Sequence, residues 1–164
     1  MKLTSYTNYA LRCLQLAAIR APNLVRTDDV VAIHGISRAH IVKVIHELGK
    51  AGYIQTVRGR NGGFKLNQPA HDIVVGAVVR ITEGPLTVVE CFNPKNNTCP
   101  LIGICRLSNK IQEATKAFMD VLDDVTIADI AANRAGLLER INILELTGDP
   151  TPFLDSAKEA GTDR

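Results

Sequence analysis

Residues 90–107, ECFNPKNNTCPLIGICRL, hold three of the chain's four cysteines at the spacing C-x7-C-x5-C. Asn, Pro, Lys, Thr and Gly stand between Cys91, Cys99 and Cys105, and these residues favour turns over packed regular structure. A thiol-rich loop without helix or strand periodicity needs an agent to order it. Three converging thiolates can hold a metal ion or an iron–sulfur cluster that does so. On one helix, residues six apart lie about 240° round the axis. Cys99 and Cys105 therefore share a site only if the backbone breaks between them, and Gly103 permits that break. Spacing alone leaves other readings open: incidental thiols packed as small hydrophobes, a zinc site completed by a fourth ligand, or a disulfide with one cysteine left over.

At 164 residues the chain has room for one substantial core, or for a small domain plus an oligomerisation element. Its 46% hydrophobic and 22% charged residues fit a soluble globular protein. The start, MKLTSYTNYALRCLQLAAIRA, lacks an apolar stretch followed by a small-residue cleavage site, and no run approaches membrane-spanning length. These features predict a cytoplasmic protein with reduced thiols and no membrane partner. The net charge of +2 hides an asymmetry: residues 1–70 carry ten Lys/Arg and three Asp/Glu, whereas residues 71–164 carry nine and fourteen. A basic first half points to a polyanionic partner.

The order of elements sharpens that reading. Residues 4–20 have helical periodicity through Leu11, Leu14 and Ala18, with Thr4 or Ser5 as the cap. A short second helix starts at Thr27, with Asp28 and Asp29 in its first turn, and stops at Gly35. Ser37 is placed to cap a third helix whose Ile41, Val44, Ile45 and Leu48 face inward, leaving Arg38, His40, Lys43 and His46 outside. Two helices across a tight glycine turn make a helix-turn-helix, whose second helix can present Ser37, Arg38, His40 and Lys43 to double-stranded DNA. Alternating residues 54–57 and 64–67, joined across Asn61-Gly62-Gly63, predict a β-wing with Arg58 and Arg60 near its tip. Arg58, Arg60, Asn61 and Gly62 are its candidate DNA contacts.

Further on, residues 75–83 predict a packing helix. After Cys105 a long helix carries Leu107, Ile111, Ala114, Phe118, Val121 and Val125 at alternating spacings of 4 and 3, a seam suited to a partner helix. Thr126 caps a short helix, LLERINILEL reads as a last amphipathic element, and residues 147–164 read as a flexible tail. The predicted architecture is mainly α with a small β-wing. A winged helix-turn-helix DNA-binding domain spans 1–83, a cluster-binding loop 84–106, and a long dimerisation helix with following helices 107–146. The four histidines pair with no cysteine at a zinc-motif spacing, and Cys13 sits among apolar residues as a core thiol. No Ser-His-Asp order, paired catalytic carboxylates, P-loop or HExxH helix stands out, so an enzyme is not expected.

Taken together, MKLTSYTNYALR, ISRAHIVKVIHELGKAGYIQTVRGRNGGFKL, ECFNPKNNTCPLIGICRL and KAFMDVLDDVTIADI resemble the family of winged-helix iron–sulfur repressors that includes NsrR, RirA and IscR, over roughly residues 1–132. SRAHIVKVI is most similar to the NsrR type. The resemblance implies a homodimer in which Cys91, Cys99 and Cys105 bind a cluster. IscR-like members place a His three residues after the last cysteine, where this chain has Ser108, which argues against a 2Fe–2S site of that type; the expected cofactor is a 4Fe–4S cluster, with 2Fe–2S and zinc the lesser candidates. NsrR-like members often carry Asp at the eighth position, able to reach the partner's cluster. Here Asn8 stands there, a poorer iron ligand but still the candidate fourth one, and RirA-like members share it. The expected function is a DNA-binding repressor that senses nitric oxide, the alternatives being an iron-responsive repressor and a redox or electron-transfer iron–sulfur protein.

Overall fold

A computed structural model of the chain describes residues 2–93 and 97–147, without the side chains of residues 143 and 145–147. Helix α1 (Ser5–Arg20) runs through the middle of the body. The Thr4 hydroxyl caps it by accepting the Thr7 amide at 3.3 Å. Its buried residues, among them Thr7, Ala10, Cys13, Leu14, Ala17 and Ile19, are not confined to a narrow stripe. Neighbours explain this, because α1 is packed by α3 (Arg38–Lys50), α4 (Val75–Glu83), α6 (Ile127–Ile130), α7 (Arg134–Thr147) and the wing strand β2 (Gly63–Leu66). Leu14, Ile41, Val44, Leu48, Phe64, Ile73, Val78, Val79 and Ile127 close the core around it. Burying each such side chain contributes about 1.5–3 kcal/mol.

Helix α2 (Thr27–His34) ends on Gly35 in the left-handed conformation at φ 62°, which turns the chain directly into α3. Strand β1 (Ile54–Val57) pairs antiparallel with β2, Ile54 opposite Leu66 and Val57 opposite Gly63. Val25, from the turn before α2, adds a further rung: its amide donates to the Phe64 carbonyl at 2.9 Å and its carbonyl accepts the Phe64 amide at 2.8 Å. Gly63 makes that rung possible, since a Cβ there would lie 2.4 Å from the Val25 oxygen.

Residues 107–146 divide in space. Helix α5 (Arg106–Asp123) packs along α4, pinned by the Arg80–Asp123 ion pair, whose first contact is 2.6 Å. None of its residues is fully buried, and Leu107 and Val121 are 66% and 65% exposed. Helices α6 and α7 instead return to α1. Ile127 donates to the Ile73 carbonyl at 2.8 Å, Gln15 to Ile130 at 2.6 Å, and the Arg134 guanidinium to Ile19 and Ala21 at 2.7 and 2.8 Å.

Thr4 and Thr126 cap their helices as the sequence predicts. Ser37 requires a correction: it occupies the N-cap position of α3, but its hydroxyl pairs with the His40 ring at 2.8 Å instead of the helix amides. His40 lies one turn further on and offers a ring nitrogen that competes for the hydroxyl. The segment LLERINILEL lies within α7, with Ile141 buried. Of the expected tail, residues 148–164 lie outside the described residues. Among the described residues, no helix is long and apolar enough to cross a membrane.

Candidate nucleic-acid interface and cysteine loop

Helix α3 is oriented by Ile41, Val44 and Leu48, each at most 1% exposed. At about 100° per residue, the direction opposite these three falls on Ala39 and His46, with Val42 and Lys43 on either flank. All four are exposed. The residues of the first turn sit elsewhere. The Arg38 guanidinium pairs with Asp28 of α2, and both side chains are largely exposed. Such a pair is worth at most about 1 kcal/mol, so Arg38 exchanges readily to another anion. His40 is bonded to Ser37, and its ring centroid lies 6.2 Å from that of Tyr9, which turns it towards α1. Of Ser37, Arg38, His40 and Lys43, only Lys43 lies beside the outward centre. Reading polar residues as the outward set passed over Ala39 and Val42. A wheel drawn about the Ile41–Val44–Leu48 axis places them.

The wing tip comprises residues 58–62. Arg58, Arg60 and Asn61 are exposed there. The turn is closed by the Gly62 amide donating to the Gly59 carbonyl at 2.9 Å. Gly59 has φ 112°, and a Cβ on Gly62 would meet the Val57 oxygen at 2.3 Å, so the tip is built for glycine at both positions. The tip carries the exposed cations Arg58 and Arg60, and the α3 flank carries the exposed Lys43.

The cysteine loop joins α4 to α5. Cys91 lies in a single 3-10 turn, Glu90–Phe92, with its sulfur 3.5 Å from the Ser108 hydroxyl. The Cys99 amide donates to the Asn97 side chain at 2.9 Å. Cys105 occupies the N-cap position of α5. Gly103 takes φ 84°, the break between Cys99 and Cys105 that the sequence allows. All three cysteines are partly exposed, whereas Cys13 is buried and burial pushes its thiol up to about 12. Cys91 and Ser108 also line a cavity of about 610 Å³ between the end of α4, the loop and α5, where Arg80, Gln112 and Lys116 contribute polar groups. Among the described residues, no three His, Cys, Asp or Glu side chains are gathered closely enough to hold a metal ion.

The loop is tied to the start of α1 at Glu83, the last residue of α4. Its carboxylate accepts the Thr4 amide at 2.7 Å, the Thr4 hydroxyl at 2.9 Å and the Thr7 hydroxyl. Burial opposes its ionisation, and these three donors more than offset that, holding the carboxyl below its ordinary value. Sequence periodicity gave no sign of this clamp, because its partners are more than 70 residues apart. Asn8 lies just beyond it, exposed on α1.

Residues 3–133 match the Rrf2 family, described as iron-dependent transcriptional regulators. The chain belongs to the Rrf2 family. It is 48% identical to the HTH-type transcriptional regulator NsrR of Geobacillus kaustophilus, over 84% of this chain and 94% of that protein. It is 40% identical to NsrR of Bacillus subtilis, over 88% of this chain and all of that one. Protein aau3 of Rhizobium meliloti is 38% identical over 82% of this chain and 87% of its own length. Among solved structures, Staphylococcus aureus CymR superposes with a TM-score of 0.64 at 24% identity, covering 80% of this chain and 96% of that one. T. potens IscR gives 0.65 at 24% identity, covering 81% and 88%. These two establish the winged-helix fold. As a Rrf2 protein, the chain is a transcriptional regulator and not an enzyme, in line with the sequence reading.

The donor set of this Rrf2 loop suits a thiolate-ligated group. Cys91, Cys99 and Cys105 are soft donors, and residues 100–104, between the last two, form turns. A thiolate-held centre would also meet the amide end of α5 at Cys105, where the helix dipole favours negative charge.

Proposed function

We propose that the protein is a homodimeric DNA-binding repressor that reads nitric oxide through a 4Fe–4S cluster held by Cys91, Cys99 and Cys105. The observation that carries the reading is the cysteine loop itself: three partly exposed thiols on turns, inserted between the helix that packs on α1 and the helix that carries the exposed seam. NsrR relatives at 40–48% identity over most of the chain support it. When bound, such a cluster supplies iron that reacts with nitric oxide. The chain's own part is mechanical. Drawing the three sulfurs together fixes the exit of α4 relative to the start of α5. Helix α4 packs on α1 and α1 on α3, so the set of the loop bears on where the reading heads stand. Loss of thiolate ligation frees that junction and changes the spacing of two α3 helices in a dimer, which must match two half-sites.

A second reading, an iron-responsive repressor, is favoured by the family's description as iron-dependent and by Asn8, whose amide is a weak iron ligand. Anaerobic purification separates the two. Iron and sulfide analysis, an absorption spectrum and operator binding are measured before and after a few equivalents of nitric oxide, and separately after a mild chelator. Release from DNA by nitric oxide within seconds, with hours of stability to the chelator, is the expected result. A DNA complex that survives nitric oxide but dissolves with chelator replaces the first reading by the second. Colourless, zinc-loaded protein would refute both.

A further inference from the structure

Val42 is 50% exposed on α3, one residue from Lys43 on a helix whose apolar side is already filled by Ile41, Val44 and Leu48. A β-branched residue on an outward helix face lowers helix propensity and, in the chain alone, buries little in return. The methyl of Ala39 lies one turn away, also exposed, and the two form an apolar strip from the outward centre of the helix to its flank. Cationic groups border it: Lys43 across the outward face, and Arg38 one turn before Val42. Such a strip, bordered by cations, matches one surface in particular. In the major groove, the apolar feature that distinguishes one base edge from the others is the C5-methyl of thymine.

We propose that Val42, with the Ala39 methyl beside it, determines operator specificity by packing against thymine C5-methyl groups in each half-site, while Lys43 supplies charge. The inference rests on the DNA-binding reading above and adds a rule for which bases are chosen. Polar contacts alone would leave Val42 as a desolvation liability in the groove. Packed on a methyl, it turns the same exposure into discrimination between thymine and cytosine.

The decisive experiment replaces thymine by uracil, which deletes that methyl and leaves every hydrogen-bonding group in place. The operator is first selected from a random duplex pool by the full-length chain, purified anaerobically. Each thymine of a half-site is then exchanged singly for uracil. The wild type is expected to lose about three- to fivefold in affinity at one or two positions, the worth of burying a methyl group. Val42→Ala is expected to bind the thymine duplex more weakly by a similar factor, to show little further loss with uracil at the same position, and to keep the wild-type salt slope because its phosphate contacts are intact. Val42 is exposed, so the variant folds, which a circular dichroism melt verifies. Uniform tolerance of uracil by the wild type overturns the proposal, as does a uracil penalty that persists unchanged in Val42→Ala. Selection of no duplex at all overturns the DNA-binding reading itself, an outcome distinct from these two.

Discussion

Four cysteines of one chemical type separate by environment. Cys13 is wholly buried among Ala10, Leu14 and Ala17 on α1, whereas Cys91, Cys99 and Cys105 are partly exposed in the loop between α4 and α5. If the three loop cysteines hold the proposed 4Fe–4S cluster, replacing any one of them by Ala is expected to abolish stable iron binding, since two thiolates cannot hold a cubane. Cys13→Ala is expected to retain full iron and to cost about 1 kcal/mol of stability through a small cavity. Iron content per chain and a urea melt test both, and an iron-replete Cys99→Ala protein would remove Cys99 from the site. His34 makes a second residue-level prediction. Burial, with the Arg12 guanidinium nearby, lowers it to about 4 from an ordinary 6.5. The folded chain thus keeps a neutral imidazole where the unfolded chain takes a proton. Stability is fully present above the unfolded value and declines as pH falls from about 6.5 towards 4. His34 is only partly shielded, so the loss is on the order of 1–2 kcal/mol after screening. Urea midpoints of the metal-free chain at pH 7 and pH 5 should show it, with a smaller drop for His34→Gln.

At the scale of elements, the wing depends on one rung that its own strands do not contain. Val25 joins Phe64 through two backbone hydrogen bonds only because residue 63 has no Cβ. Gly63→Ala should push β2 off Val25 and cost about 1–3 kcal/mol by overpacking. Gly49→Ala is the contrasting case: nothing lies within 4 Å of the added methyl in a helical backbone. It should stabilise α3 by about 0.5–1 kcal/mol. Urea unfolding of the pair checks both signs, and equal effects would show that the rung does not hold the wing. The same contrast explains what could be read in advance. Caps at Thr4 and Thr126, the stop at Gly35, the wing strands and the long helix after Cys105 are local signals of period and turn chemistry, and they were legible. The Val25 rung, the Glu83 clamp on Thr4 and Thr7, and the Arg134 bonds to the Ile19 and Ala21 carbonyls join residues distant in sequence. No local pattern encodes them. In the candidate site, the accessibility of the loop cysteines and the wing arginines was legible by residue type. The outward centre of α3 was not, because it is set by which apolar residues the core takes and not by which polar ones remain.

At the scale of the whole molecule, α5 is the element that the chain alone leaves incomplete. It touches the body through α4, while Leu107 and Val121 stay about two-thirds exposed and Ile111 and Phe118 are half-buried along the same seam; Val125, beyond the end of α5, packs on the core instead. In the homodimer proposed above, a helix with this spacing would pair with a second copy of itself and set two reading heads on two half-sites. Lysine at the centre of such a contact would be buried without a partner, a cost of several kcal/mol shared by both protomers. Val121→Lys is therefore expected to shift the protein from dimer to monomer in sedimentation equilibrium. Its melting profile at high protein concentration should fall towards that of the isolated chain, because dimer formation no longer stabilises the fold by mass action. Operator affinity should drop by a factor of 100 or more, since linked binding of two heads typically gains about 10²–10⁴ over one. Iron content provides the discriminating measurement. If the three thiols of one chain suffice, the monomeric variant retains its iron. If residue 8 of the partner completes the site, iron is lost together with the dimer, and Asn8→Asp in the wild-type background should slow iron loss to a chelator. A Val121→Lys protein that remains dimeric and binds the operator at wild-type affinity would move the pairing surface away from α5.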